Sequence, residues 1–385
     1  SGLEQKLPWW THLSFHDHPP LFFLIQNIFF KIFGVSLFIA RLPSVISGIL
    51  SIYLIYLISK RIFDEKNKLI IFFAPLLLSV SSIHIWISRS SLFESLLFFL
   101  IFANIHYFFS FLENQKKWKM FGITLGLAFL TKYTSFFLVP VYGIYLLIFH
   151  KDFFKKSELY LASGLALILF SPVIIYNFYL WKTVGHFDLQ FAYLFRQAAP
   201  EWQGSLGKIQ EPFSNIIENL LAMYSTPFLI AVILGLASSI LFWIKSRNKE
   251  LVFSWLAFLF ITLMLIPMGS AFRFIALYLF PFVFFAVFLF WILEKKLAPI
   301  LFKILFALFI LYELYFSIGG IFFEFPDFGV VKLDVYLEES IGGQRSLRLP
   351  QSPNPHLNAV IKRYGIQRPA ADKSLIIIYD ENIAL

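Results

Sequence analysis

His16, Asp17, His18, Pro19 and Pro20 set two imidazoles and a carboxylate directly ahead of two rigid prolines and a long apolar run. A carboxylate and imidazoles held together could move a proton to or from a hydroxyl. The prolines suit a first helical turn, where the missing N–H costs nothing. An equally good reading is an ordinary helix start, with Asp17 as a cap and both histidines in water. Adding His12 gives His12, His16 and His18 as candidate metal ligands. Their spacing is not a standard zinc signature, so a divalent cation requirement stays open.

A second set lies dispersed along the chain. Arg41 opens an apolar run, Arg89 sits in a tight turn with Glu94 five residues on, Lys132 interrupts another run and Arg273 precedes one more. Ionisable groups at the edges of membrane segments are functional candidates by default. Three guanidinium groups and an ammonium at one level suit an anion, and phosphate is the natural one. For each alone, snorkelling to the interface or a local ion pair explains it as well. Glu313, within the last long apolar run, reads as a packing or hydrogen-bonding residue near a helix end.

The elements that position these groups must lie in a bilayer. Of 385 residues, 59% are hydrophobic and 14% charged, where soluble domains are nearer a quarter charged. The 51 phenylalanines exceed what one soluble core can hold and suit helices facing lipid. Mean hydropathy is +0.75. The absence of cysteine excludes disulfides and thiolate metal sites. The net charge of +9 is no nucleic-acid signal, because Lys and Arg concentrate in short loops between apolar runs.

Residues 20–33 are too short to span and, with Gln26, Asn27 and Lys31 in one wedge, read as an interfacial helix. Spanning candidates follow at 38–59, 69–87, 91–112, 158–180, 226–244, 251–267, 274–293 and 299–318. The stretch 120–149, broken at Thr131–Thr134, reads as two short helices carrying Lys132 at their tip. Lys60, Arg61, Lys66, Lys68, Lys116, Lys117, Lys119, Lys151, Lys155, Lys156, Lys245, Arg247, Lys249, Lys295 and Lys296 fall in one set of loops. The alternate short loops hold Arg89, Lys132 and Arg273. By the positive-inside rule the first set is cytoplasmic. Residues 1–37, the loop 181–225 and the tail 319–385 are then external, and Arg41, Arg89, Glu94, Lys132 and Arg273 share the external half. The loop 181–225, with His186 and Asp188, is long enough to fold over a site. The tail, punctuated by Gly and Pro and ending in the strand-like Ser374–Tyr379, reads as a small α/β segment cut short. The expected fold class is an all-α polytopic membrane protein with about ten spanning or near-spanning helices: an external loop with an interfacial helix (1–37), a transmembrane domain (38–318) and an external C-terminal segment (319–385). No internal repeat is evident.

FHDHPPLFFLIQNIFFKIFG, ARLPSVISGIL, SRSSLFESLLFF, GLAFLTKYTS and FRFIALYLFP occur in that order and cover about residues 8–285. In this the chain resembles the integral-membrane glycosyltransferases of the GT-C fold, closest to family 39, the protein O-mannosyltransferase and aminoarabinose-transferase-like group. The resemblance implies transfer of a sugar from a polyprenyl-phosphate donor to a glycan, lipid or protein acceptor, on the external face of the plasma membrane. It implies that His18 belongs to the first external loop, that Lys132 and Arg273 hold the carrier phosphate, and that Arg89 and Glu94 form a second external constellation. The family often has Asp where Glu94 stands. It also has an Asp-Glu pair after a first helix, and no such pair lies upstream of His18. The main base is therefore expected upstream of Ser1, with a further helix, and Asp17 and Glu94 are the catalytic candidates within the chain. Two rivals are a transporter or flippase for a lipid-linked anion and a non-catalytic subunit of the same fold.

Overall fold

The computed structural model describes residues 18–63, 68–197, 212–246 and 249–320, and these are almost wholly helical. His12, His16 and Asp17 and the whole of the tail beyond residue 320, with its strand-like run, lie outside the described residues.

The chain opens with α1, Leu21–Phe33, a helix of 13 residues that Pro20 precedes and Gly34 ends at φ 83°. It is short for a crossing, as the sequence suggests. The long helix α2, Leu37–Ile62, is capped by the Ser36 hydroxyl, which accepts from the Ile39 N–H. Then come α3, Lys68–Val80, and α4, Ser82–Arg89, bent by 56° at their junction. The expected single span at 69–87 is thus a broken one. The next span is α5, Phe93–Glu113. The expected short pair follows as α6, Trp118–Phe129, and α7, Leu138–Phe149, with a 3₁₀ turn at Tyr133–Phe137 between them.

Helix α8, Ser157–Val184, ends at Gly185 in the left-handed conformation. Among the described residues of the expected loop 181–225 are two short helices, α9, Leu189–Leu194, and α10, Ile216–Met223. Helix α11, Thr226–Ser246, leaves α10 through a sharp bend, the two segments standing 117° apart. The last spans are α12, Lys249–Met268; α13, Phe272–Lys296, running through a 3₁₀ turn at Ala276–Tyr278; and α14, Pro299–Gly319. Six of these helices are long and apolar enough to cross a membrane, or eight if each bent pair is one span. With α6 and α7 as short partners, the expectation of about ten spanning or near-spanning helices holds for the described residues.

Backbones approach closely where glycine allows it. A Cβ at Gly122 would stand 2.5 Å from the Ala162 carbonyl oxygen, and one at Gly126 2.8 Å from Leu169 Cβ. Gly122 and Gly126 lie one turn apart on α6, so a side-chain-free strip of α6 rests on Ala162 and Ala166 of α8. Small residues serve this purpose in bilayers, where lipid tails compete with side chains for apolar contact. Gly235 of α11 likewise lies against the Phe285 backbone of α13. The central layer is aromatic: Phe108 stacks on Tyr142 at 4.2 Å between centroids, and Phe253 packs on Phe109 at 5.2 Å. Asn104 lies buried there, donating to Thr124 Oγ1 at 2.9 Å and accepting from Tyr142 OH at 2.6 Å. A buried amide so satisfied costs little and fixes the register of α5 against α6 and α7.

Candidate functional site at the break between α6 and α7

Helix α6 stops at Leu130. Thr131 bonds back to the Leu127 carbonyl at 2.8 Å, and Lys132 turns extended at φ −160°, ψ 136°. The Ser135 hydroxyl and N–H both bond the Lys132 carbonyl, at 2.7 and 3.1 Å, and start the 3₁₀ turn. Carbonyls at a helix end need partners. The Leu130 carbonyl finds one in the Leu21 N–H of α1, at 3.1 Å. The helix that follows His18-Pro19-Pro20 is thereby tied to the residue next but one to Lys132.

A second set of bonds ties α1 to α2 and α5. Gln26 donates to the Ala40 carbonyl at 3.0 Å and to Ser91 Oγ at 2.6 Å, and Ser91 Oγ bonds the Ala40 carbonyl at 3.0 Å. Ser44 donates to the Leu92 carbonyl at 2.9 Å, and Ser95 donates to the Ser44 carbonyl at 2.6 Å. These bonds set the first turn of α5, and with it Phe93 and Glu94, against α2. Phe22, Phe93, Leu96, Leu100 and Ala128 close the apolar contact beneath.

At the centre, Lys132 Nζ donates to Glu94 Oε1 at 2.9 Å, with the side chains only 5% and 1% exposed. The same ammonium lies 4.9 Å from the ring centroid of Phe93 and 4.9 Å from that of Phe274. One cation thus meets a carboxylate and two aromatic faces. Ring faces carry partial negative charge and attract a desolvated ammonium, by up to about 2 kcal/mol or more. The second Glu94 oxygen, Oε2, is buried without a hydrogen-bond partner. Glu94 lies in the first turn of α5, where the helix dipole also favours negative charge. The His18 ring packs on Phe93 at 4.4 Å between centroids.

The five dispersed charges meet unequally. Glu94 and Lys132 are in direct contact. Arg273 is half-buried and adjoins Phe274, which faces Lys132. Arg41 and Arg89 are exposed; the Ser91–Ala40 bond joins residues beside them, so both sit on the rim of the same end of the bundle. The opposite end holds Arg61 with Glu113, and Lys249 over the Phe149 ring at 5.8 Å. The shared level read from the sequence therefore holds as one end of the bundle. Lys132 itself is covered, not displayed at a loop tip. Among the described residues no group of three or more His, Cys, Asp or Glu could hold a metal ion.

Sequence reasoning missed the ring clamp, since Phe93 and Phe274 are two among 51 phenylalanines and carry no local signal. It also left Asp188 without a role. Asp188 is fully buried and accepts from Tyr133 OH at 2.5 Å and from Asn177 Nδ2 at 3.0 Å. Its Oδ1 caps α9 by accepting from the Phe191 N–H at 3.0 Å. Because Lys132 is extended, its neighbour Tyr133 points the other way, so the two sides of the break hold two different carboxylates. The signal available was an acid in an otherwise apolar stretch of the loop. The start of that loop does pack on the break, with Phe191 4.7 Å from Tyr133.

Comparison with known proteins agrees with this architecture. Residues 17–176 match the family model described as dolichyl-phosphate-mannose-protein mannosyltransferase. The chain is 28% identical over 154 residues to the undecaprenyl phosphate-alpha-4-amino-4-deoxy-L-arabinose arabinosyl transferase of Wigglesworthia glossinidia brevipalpis, 37% of this chain and 26% of that protein. Its fold matches that of ArnT from Cupriavidus metallidurans bound to undecaprenyl phosphate, with a TM-score of 0.53 and 13% identity over 90% of this chain and 58% of that one. It also matches the Archaeoglobus fulgidus oligosaccharyltransferase in complex with Zn and sulfate, with a TM-score of 0.58 and 15% identity over 96% of this chain and 51% of that one. The matched segments span from 23% to 49% of the curated relatives' lengths. The chain is a multi-pass membrane protein of the GT-C fold. The residues matched by the family model, 17–176, include His18, Arg41, Arg89, Glu94 and Lys132.

Proposed function

We propose that the protein is an integral-membrane glycosyltransferase that moves a sugar from a polyprenyl-phosphate donor to an acceptor hydroxyl or amine on the external face of the plasma membrane. The observation that carries this reading is the buried Lys132–Glu94 pair, clamped by Phe93 and Phe274 and flanked by His18 and Arg273. The names of the relatives support it, since they pair this fold with undecaprenyl or dolichyl phosphate.

In such a transfer the acceptor heteroatom attacks the anomeric carbon and the bond from that carbon to the phosphate oxygen breaks. The phosphate leaves with the electron pair and gains negative charge. Positive groups placed there lower the barrier, because they meet more charge in the transition state than in the ground state. Lys132, Arg273 and the rim residues Arg41 and Arg89 are the groups of this chain for that task, with Lys132 and Arg273 nearest the clamp. For the buried Lys132 the effect is little diluted by water. Glu94 holds the ammonium in place and keeps the buried charge balanced until the anion arrives. The acceptor proton goes to a carboxylate, for which Asp17 and Glu94 are this chain's candidates. His18, stacked on Phe93, forms one wall. The donor's hydrocarbon chain lies along the phenylalanine-rich helices, among membrane lipids. Nucleic acid has no part in this reading.

The test is transfer of a labelled sugar from a polyprenyl-phosphate donor by the full-length protein in proteoliposomes. Labelled sugar recovered in covalent linkage to the acceptor supports the reading. Donor movement across the bilayer with no transfer would replace it with a transporter.

A further inference from the structure

A third buried carboxylate, in addition to Glu94 and Asp188, lies away from the break between α6 and α7. Glu313 is 4% exposed, although it sits on α14, a helix whose most apolar window is only 17% buried. Ser225 Oγ donates to Glu313 Oε1. Ser225 stands at the sharp bend between α10 and α11, and its oxygen also accepts from the Phe228 N–H at 3.1 Å. One turn beyond Glu313, Ser317 donates to the Val80 carbonyl at the bend between α3 and α4. Ser82, across that bend, donates to the Met223 carbonyl at 2.7 Å. Two broken spans therefore meet at one face of α14.

A small cavity, with room for about one water-sized particle, lies at this meeting point. Its oxygen-bearing walls are Ser81, Ser82, Tyr224, Ser225 and Glu313, and apolar side chains close the rest. The hydroxyls of Ser82 and Tyr224 give their protons to the carbonyls of Met223 and Ile275, so their lone pairs remain for a guest. Ser225 spends its proton on Glu313 in the same way. A wall of acceptors with no basic group suits a cation better than a water, whose own lone pairs it would leave unmet.

We propose that this cavity binds one sodium-sized monovalent cation, with the Glu313 carboxylate and the hydroxyls of Ser82, Tyr224 and Ser225 as oxygen ligands. One carboxylate balances one positive charge. A divalent ion would keep a net charge in a low-dielectric setting and would ask for more carboxylates. Backbone freed at broken membrane helices is a recurrent setting for sodium. A bound cation would join α14 to both bends at once. Glu313 is six residues from Gly319, about 9 Å along the helix, so the site is shallow enough to be reached from that end.

The full-length protein in detergent is melted in NaCl and in choline chloride at equal ionic strength. The wild type is expected to melt roughly 5–10 °C higher in saturating sodium. Glu313→Gln, which keeps the shape and removes the charge, is expected to lose that difference. Ser225→Ala and Ser82→Ala are each expected to weaken the sodium dependence roughly tenfold in apparent affinity. Equilibrium dialysis with radioactive sodium should show one ion per chain. Equal melting of the wild type in both salts, absence of bound sodium, or full sodium dependence in Glu313→Gln each overturns the proposal. Should Glu313→Gln not fold, unchanged affinity in both serine variants overturns it as well.

Discussion

Glu94→Ala tests most sharply whether the Lys132–Glu94 pair is the pivot of this end of the bundle. In the wild type the ammonium has one carboxylate at 2.9 Å and two ring faces at 4.9 Å, and it is nearly closed to water. Removing the carboxylate leaves a charge in an apolar enclosure. The rings recover about 2 kcal/mol. Breaking a buried pair from one side costs about 3–5 kcal/mol, most of it the penalty of the stranded partner. Glu94→Ala should therefore destabilise by about 3 kcal/mol, and Lys132→Met by less, because a carboxyl can take a proton and become neutral. The double variant should be more stable than the sum of the two losses, with a coupling of about 2 kcal/mol. Reversible unfolding in mixed micelles measures all four corners of the cycle. A coupling below about 0.5 kcal/mol would show that the pair is no more than a surface contact, and the clamp could not be the pivot.

Phe274→Ala should cost about 0.5–2 kcal/mol of stability and weaken donor binding, seen as a higher KM with a smaller change in kcat, because the ring faces Lys132 from the helix that carries Arg273. Ser95→Ala removes the 2.6 Å bond to the Ser44 carbonyl and should cost about 1 kcal/mol in the same unfolding assay. Gly126→Val forces α6 away from Ala166 and Leu169, and should cost about 2 kcal/mol or more while Gly143→Ala, which meets open space, should cost under about 1 kcal/mol.

Level along the helix bundle was legible in the sequence; direction around each helix was not. Loop charges and run lengths located Arg41, Arg89, Glu94, Lys132 and Arg273 at one level, and the Thr131–Thr134 interruption gave the broken pair. Partner choice stayed hidden for a physical reason. Hydrophobic periodicity reveals a helix face only when one side is polar. In α5 and α13 nearly every position is apolar, so nothing in the pattern tells that Phe93 and Phe274 face one ammonium. The bend at Ser81 escaped too, since Ser82 looks like an ordinary small residue until its bond to the Met223 carbonyl is known. Glu313 was read as a hydrogen-bonding residue, which its bond from Ser225 bears out, but its meeting with two bends is a property of three spans that are distant in sequence.

The most direct measurement is turnover of the polyprenyl-phosphate sugar by Lys132→Ala and Arg273→Ala beside the wild type, each checked for folding. If the two side chains neutralise the leaving phosphate, each substitution should lower kcat by about 10²-fold or more, as removal of one charge-stabilising donor does elsewhere. Wild-type turnover in both variants would contradict the assignment of the phosphate to this end of the bundle.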